Sequence, residues 1–189
     1  MGSEWKPYKI DQLLLKRNQG VNTTTEKVSY SETGLKVIRA NNISREGIDW
    51  NNCVYVDKAT FKRIKDPCKP KRGDILYTNI GSQFGVAVKV ESDEEFIIAW
   101  NVLRIQTSNE VDTDFLVYVL NNPKNRRFIQ SLNASSTMPF VSGKVIGDLE
   151  FYFPDVNAQR EIKLILRPLD NKIQLNRQTN QTLEQMAQA

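Results

Sequence analysis

The sequence predicts an α+β protein: a curled mixed or antiparallel β-sheet with flanking helices, followed by a long coiled-coil-type helix at the C-terminus. Three observations lead there. Short runs rich in β-branched residues follow one another between residues 35 and 105, too closely for the helical crossovers of a βαβ array. Two helical patterns come after these strands instead of alternating with them. The composition then changes after Pro154 to a glycine-free tail with a seven-residue apolar repeat.

The elements follow in order. Residues 5–10 form an entry segment leading into 12–15, and the polar run 18–34, rich in Thr, Ser and Gly, is a loop. Residues 35–40 are a strand ending at Asn41-Asn42, and 54–56 are a second. Asp57 caps a helix from Lys58, with Phe61 and Ile64 on its buried face, and Pro67 and Pro70 stop it. Residues 73–79 make a strand, 80–85 a glycine-bearing loop, and 86–90 the next strand. Glu91, Asp93, Glu94 and Glu95 form an acidic turn before strands at 96–100 and 102–105. Residues 112–120 and 123–132 are helices, 133–139 a polar loop, and 151–153 a last strand closed by Pro154.

In the tail, Ile162, Leu166, Leu169, Ile173, Asn176, Asn180, Leu183 and Ala187 are spaced 4, 3, 4, 3, 4, 3 and 4 apart. That is an a/d seam with two polar residues in its middle, and buried Asn at such positions fixes register and partner choice. A helix this polar is marginal alone, so the stripe needs a partner. Pro168 removes one backbone donor and is a candidate kink. The chain therefore divides into residues 1–155, one α+β domain, and 156–189, a helix that needs a partner.

Length and composition exclude much. The chain has 189 residues, 40% hydrophobic and 25% charged, values usual for one soluble domain with an appendage. No apolar run approaches the ~18 residues that span a bilayer. The first residues lack a signal core, so a cytoplasmic protein is expected. With no histidine there is no imidazole base, triad or imidazole metal site. Cys53 and Cys68 cannot hold zinc alone and are read as reduced thiols, and no metal site is expected. The tetrapeptide of adenine methyltransferases, the Walker loop and the dinucleotide-binding glycine pattern are all missing. No catalytic residue is assigned, and the chain is expected not to be an enzyme.

Charge is segregated. Residues 58–72 hold seven cations and one acid, a net +6 within a chain total of +4. Residues 115–147 hold Lys124, Arg126, Arg127 and Lys144 and no acid. Phosphate backbones are the commonest partner of such a field.

Particular segments then matter together: Trp5-x-x-Tyr8-Lys9-Ile10; the run 33–43 around Gly34-Leu35-Lys36-Val37-Ile38-Arg39-Ala40-Asn41-Asn42; and Gly73-Asp74-Ile75-Leu76-Tyr77-Thr78-Asn79-Ile80-Gly81-Ser82. A Ser/Thr loop at 135–137 follows, and then Gln159-Arg160-Glu161-Ile162 running into Leu169-Asp170-Asn171-Lys172-Ile173. In this order they resemble the DNA-specificity subunit of type I restriction–modification systems. A full subunit of that family has two target-recognition domains separated by two long conserved helices. The resemblance here covers one recognition domain and one helix without internal repeat, so a half subunit, natural or truncated, is expected. The ending in mid-helix favours truncation.

The resemblance implies sequence-specific reading of one half of a split double-stranded DNA site, without catalysis. It implies methyltransferase (M) and motor-nuclease (R) subunits as partners. S-adenosylmethionine, ATP and Mg are expected only on those partners, and no cofactor on this chain. A second copy, or another half subunit, would pair through the C-terminal helix.

DNA-backbone contacts are expected from Lys62, Arg63, Lys65, Lys69, Lys71 and Arg72, with Lys124, Arg126 and Arg127 as a second track. Base reading needs two-point hydrogen-bonding side chains on loops. The candidates are Arg39, Asn41, Asn42, Asn79, Ser82, Gln83, Ser135, Ser136, Thr137, Ser142 and Lys144. Trp5, Trp50 and Trp100 are read as core or interface residues. The competing reading is an RNA-binding or protein-interaction module whose basic face is incidental.

Overall fold

The computed structural model describes residues 4–82, 84–133 and 138–188. Its strands are β1 (Lys6–Lys9), β2 (Leu14–Gln19), β3 (Leu35–Ile38), β4 (Ile43–Ser44), β5 (Gly47–Ile48), β6 (Val54–Val56), β7 (Ile75–Thr78), β8 (Ala87–Lys89), β9 (Phe96–Ile98), β10 (Val102–Thr107) and β11 (Glu150–Phe153). Its helices are α1 (Lys58–Arg63), α2 (Thr113–Asn121), α3 (Pro123–Ser131), α4 (Gly143–Asp148) and α5 (Val156–Gln188). The α+β class and the long C-terminal helix are as the sequence predicts.

Two sheets form the centre. One is antiparallel, in the order β2-β10-β7-β8; the other is mixed, in the order β6-β3-β9, with β3 and β9 parallel. Strand alternation sorts their side chains into layers. Ile75 and Tyr77 of β7 face a core shared with Phe115 and Leu116 of α2 and Ile146 of α4. Leu76 faces the other way, onto Ile38, Val88, Phe96 and Ile98 between the sheets. Val37 and Ile97 point onward to Phe61 and Ile64 beneath α1. Strands buried on both faces read as unbroken apolar runs, which is why β7 and β9 were legible.

The structure departs from the sequence reading at four places. The segment 14–19 is an edge strand, β2, paired with β10. Its Lys16, Arg17, Asn18 and Gln19 are the polar residues that protect sheet edges, and they made it read as loop. Helix α4 went unseen because Gly143 and Gly147 lower helix propensity. A Cβ at Gly147 would lie 2.2 Å from the Asp11 carboxylate, so contact with the 10–13 turn demands the small residue. The hairpin of β4 and β5 was also missed. Finally, α5 runs unbroken through Pro168, capped by Asp155, whose Oδ1 accepts from the N–H groups of Asn157 and Ala158 at 3.0 Å.

Among the described residues no helix is long and apolar enough to cross a membrane. None of the described His, Cys, Asp or Glu side chains cluster in a way that could hold a metal ion. Both cysteines are free, and burial pushes their thiols up.

Candidate nucleic-acid interface

Strand direction decides which loops meet. β2, β7, β3 and β9 end at the same end of the sheets, where β8 and β10 begin. The segments 19–21, 39–42, 79–86, 99–101 and 138–142 therefore converge there. Asn79 and Asn101 tie them together. The Asn79 N–H donates to the Asn101 carbonyl at 3.3 Å, and its side-chain amide donates to Val141 O at 3.1 Å and to Gln19 Oε1 at 3.2 Å. Asn101 Oδ1 accepts from the Ala40 N–H at 3.1 Å. The sequence reading missed Gln19 and Asn101. Nothing short of the pairing register marks them, since each looks like an ordinary loop residue.

This geometry divides the base-reading candidates. Asn79 is fully buried and its amide is spent inside the protein, so it cannot reach a base. Asn42 is likewise internal: its Oδ1 accepts from the Arg39 N–H at 3.0 Å and its Nδ2 donates to Asn52 O at 2.9 Å. The Ser142 hydroxyl caps α4, accepting from the Val145 N–H at 3.2 Å. Asn79 and Asn42 are corrected to structural roles, because each is buried and satisfies backbone groups that would otherwise be orphaned, while Ser142 gains a capping role. Asn41, Ser82 and Lys144 are exposed at this end, and Arg39 is half-buried, its Nε without a hydrogen-bond partner among the described residues. Gln83, Ser135, Ser136 and Thr137 lie outside the described residues.

The helix α3 flanks the same end. Gln130 donates to Phe84 O at 3.2 Å, and the Arg126 side chain packs on Gly85. Lys124 and Arg127 are exposed on α3. Arg126 Nε is buried without a hydrogen-bond partner among the described residues, as is the hydroxyl of Tyr77, whose pKa burial pushes up.

The basic stretch 58–72 behaves otherwise. Lys71 and Arg72 precede β7 and so lie at the opposite end of the sheet. Arg72 makes a two-point pair with Asp93 at 2.8 and 2.9 Å and approaches Glu91 at 3.7 Å. The Asp93 carboxylate raises the guanidinium pKa, and the guanidinium lowers that of the carboxyl. Arg63 donates to the carbonyls of Glu26 and Lys27 at 2.7 and 3.2 Å. Lys69 lies over the Phe61 ring and 3.5 Å from Asp66. Arg63, Lys69 and Arg72 thus have partners within the protein itself. Lys62, Lys65 and Lys71 stay exposed, and no ion pair among the described residues engages them.

On α5 the first turns pack on the α+β body that precedes it. Ile162 joins the core under α2 and Leu166 is half-buried, which removes these two from the free seam. Lys163 pairs with Asp112 and Asp114, and Arg167 lies 3.6 Å from Asp114 and from Glu91. The Tyr118 hydroxyl donates to Asp170 at 2.6 Å, and Arg177 pairs with Glu46. Burial pushes the Asp112 carboxyl up. Hydrogen bonds from Lys163 and the Phe115 and Asp114 N–H groups outweigh that and hold it below its ordinary value. This polar face sits one residue, about 100° of rotation, from the seam. Leu169, Ile173, Asn176, Asn180 and Leu183 are consequently left exposed.

A family model described as the type I restriction modification DNA specificity domain matches residues 2–185. The chain belongs to that family. Among its relatives in this specificity family, the HindI specificity subunit of Haemophilus influenzae is 34% identical over 145 residues, 74% of this chain. The MjaVIII specificity subunit of Methanocaldococcus jannaschii is 22% identical over 160 residues, 82% of this chain. The chain covers 32% and 37% of these relatives, about a third of their length. The specificity-domain fold recurs in a chain of a type I restriction–modification complex, with a TM-score of 0.67 at 12% identity over 97% of this chain and 43% of that one. It recurs also in the S subunit from M. genitalium, with a TM-score of 0.61 at 17% identity over 89% of this chain and 40% of that one.

Proposed function

We propose that this specificity domain reads one half of a bipartite duplex DNA site through the loop end of its sheets. One observation carries the reading. The segments 35–44, 75–90, 96–109 and 138–147 that build this end contain no Asp or Glu, while exposed side chains of Arg, Lys, Asn and Ser crown it. Exposed donors on acid-free segments over a buried polar hub suit the phosphates and base edges of a duplex. Asn41, Ser82, Lys144 and Arg39 would face base edges. Lys124 and Arg127 would hold phosphates, with Lys62 and Lys65 as a further contact. No side chain of this chain is assigned a chemical step. Methylation with S-adenosylmethionine, and ATP- and Mg-dependent cleavage, would belong to the M and R subunits.

The helix α5 would carry the pairing. Its polar face is occupied by its own domain, and the apolar residues from Leu169 onward are free. A second copy, or the other half subunit, would cover Leu169, Ile173 and Leu183 and set two recognition domains at a fixed spacing. M subunits would dock on the outer face of that helix pair.

The test is selection of the full chain against random duplexes, with single strands and duplex RNA as competitors, followed by sedimentation. A reproducible duplex motif and concentration-dependent dimerisation abolished by Ile173→Asp are expected. Equal retention of RNA would favour the RNA-binding alternative. A monomer at high concentration would remove the pairing role of α5.

A further inference from the structure

The three tryptophans are built into the molecule in different ways. Trp5 stacks against Phe115 with ring centroids 6.2 Å apart. Trp50 meets Phe96 edge-on at 5.2 Å and carries Lys36 over its ring at 5.4 Å. Trp100 has no ring or cation contact among the described residues and is 48% exposed, at the tip of the turn between β9 and β10.

That turn is fixed on every side. Ala99 N–H donates to Ile38 O at 2.9 Å, Val102 N–H to Ala99 O at 2.9 Å, and Val21 N–H to Ile98 O at 2.8 Å. Gln19 donates to the Trp100 carbonyl itself. Gly20 lies so close that a Cβ there would sit 2.2 Å from Ala99 O. Asn101, next in sequence, is bonded to Ala40 and to Asn79, which joins the Trp100 turn to the 39–42 segment and to the end of β7. A large aromatic side chain, half exposed on a turn held this firmly, loses little freedom when a partner covers it.

We propose that Trp100 is the apolar base contact of the interface: its indole enters the groove of the half-site and packs on base edges, discriminating by shape and by pyrimidine methyl groups. The assignment rests on the DNA reading proposed above. It commits Trp100 to specificity, where the composition of its loop gave it none.

The experiment uses the full chain and the duplex it selects. Trp100→Ala should weaken binding to that duplex about five- to a hundredfold, as for a lost base contact. Non-specific binding, and the slope of log affinity against log salt, should stay as in the parent. Trp100→Phe should recover part of the loss. In a Trp5→Phe/Trp50→Phe protein the remaining emission should become shielded from iodide when the selected duplex is added. This readout needs no deletion at Trp100 and holds if Trp100→Ala misfolds. Parental affinity in Trp100→Ala, or an indole still quenched in the complex, overturns the assignment alone. A parent chain that selects no duplex overturns the proposed function and this assignment together.

Discussion

At the loop end of the four-stranded sheet, the segments that end the strands expose cations and carry no acid of their own; at the opposite end, cations are plentiful and acids consume them. Lys124, Arg127 and Lys144 flank the first end without an ion pair among the described residues. At the second, Arg72 is clasped by Asp93 and Arg104 is buried against Asp74 at 2.7 Å. The richer stretch in the sequence is therefore the poorer one in free charge. A positive field depends on what faces each cation across the fold, and Arg72 and Asp93 are 21 residues apart.

The largest expected effect breaks the charge-consuming end. Asp74→Ala leaves the Arg104 guanidinium buried and uncompensated, which should cost about 3–5 kcal/mol. Urea unfolding reads this directly, and a loss near zero would mean that this end is not structural. A smaller effect sharpens the other end. Asn79→Ala strips a partner from Val141 O and Gln19 and should cost about 1–3 kcal/mol. It should also blur the preferred DNA motif, because Gln19, which donates to the Trp100 carbonyl, loses its side-chain partner. Loss of stability with an unchanged motif would separate the hub from reading.

Acid offers a gentler probe of the attachment of α5. The Asp112 carboxyl is held below its ordinary value, so the stability it contributes is present above the unfolded value of about 3.9. That stability is lost as pH falls through the lower folded value. Hydrogen exchange in residues 156–166 should rise across that window. It should not rise in Asp112→Asn, where the linkage is gone.

The caps show what was legible in the chain. Asp57 accepts from the Ala59 and Thr60 N–H groups at 2.8 and 2.9 Å, and Asp112 from Asp114 and Phe115 at 3.0 and 3.2 Å. Asp112 is local but reads as the first residue of its helix; the Asp57 cap is equally local, and sequence order reveals it. The apolar strands were legible for the same reason. What escaped was set by distant contact. Gly147 suits its place in α4 because a Cβ there would meet the Asp11 carboxylate at 2.2 Å. Asn79 has the chemistry of a base reader but spends it on Val141 and Gln19, 62 and 60 residues away. Leu169 and Ile173 were rightly placed on one stripe, yet only the polar contacts of α5 reveal which part of that stripe is free.

The smallest expected change is in Arg72 variants. Its pairs are exposed and screened, so Lys71→Ala/Arg72→Ala should leave both folding and DNA binding as in the parent. Set beside Lys124→Ala/Arg127→Ala/Lys144→Ala, this gives the direct measurement: the slope of log affinity against log salt on duplex DNA. Each lost phosphate contact should flatten the slope by about 0.9. The account predicts flattening in the loop-end triple variant and none in Lys71→Ala/Arg72→Ala. The reverse result would place the DNA at the charge-consuming end and contradict the interface described above.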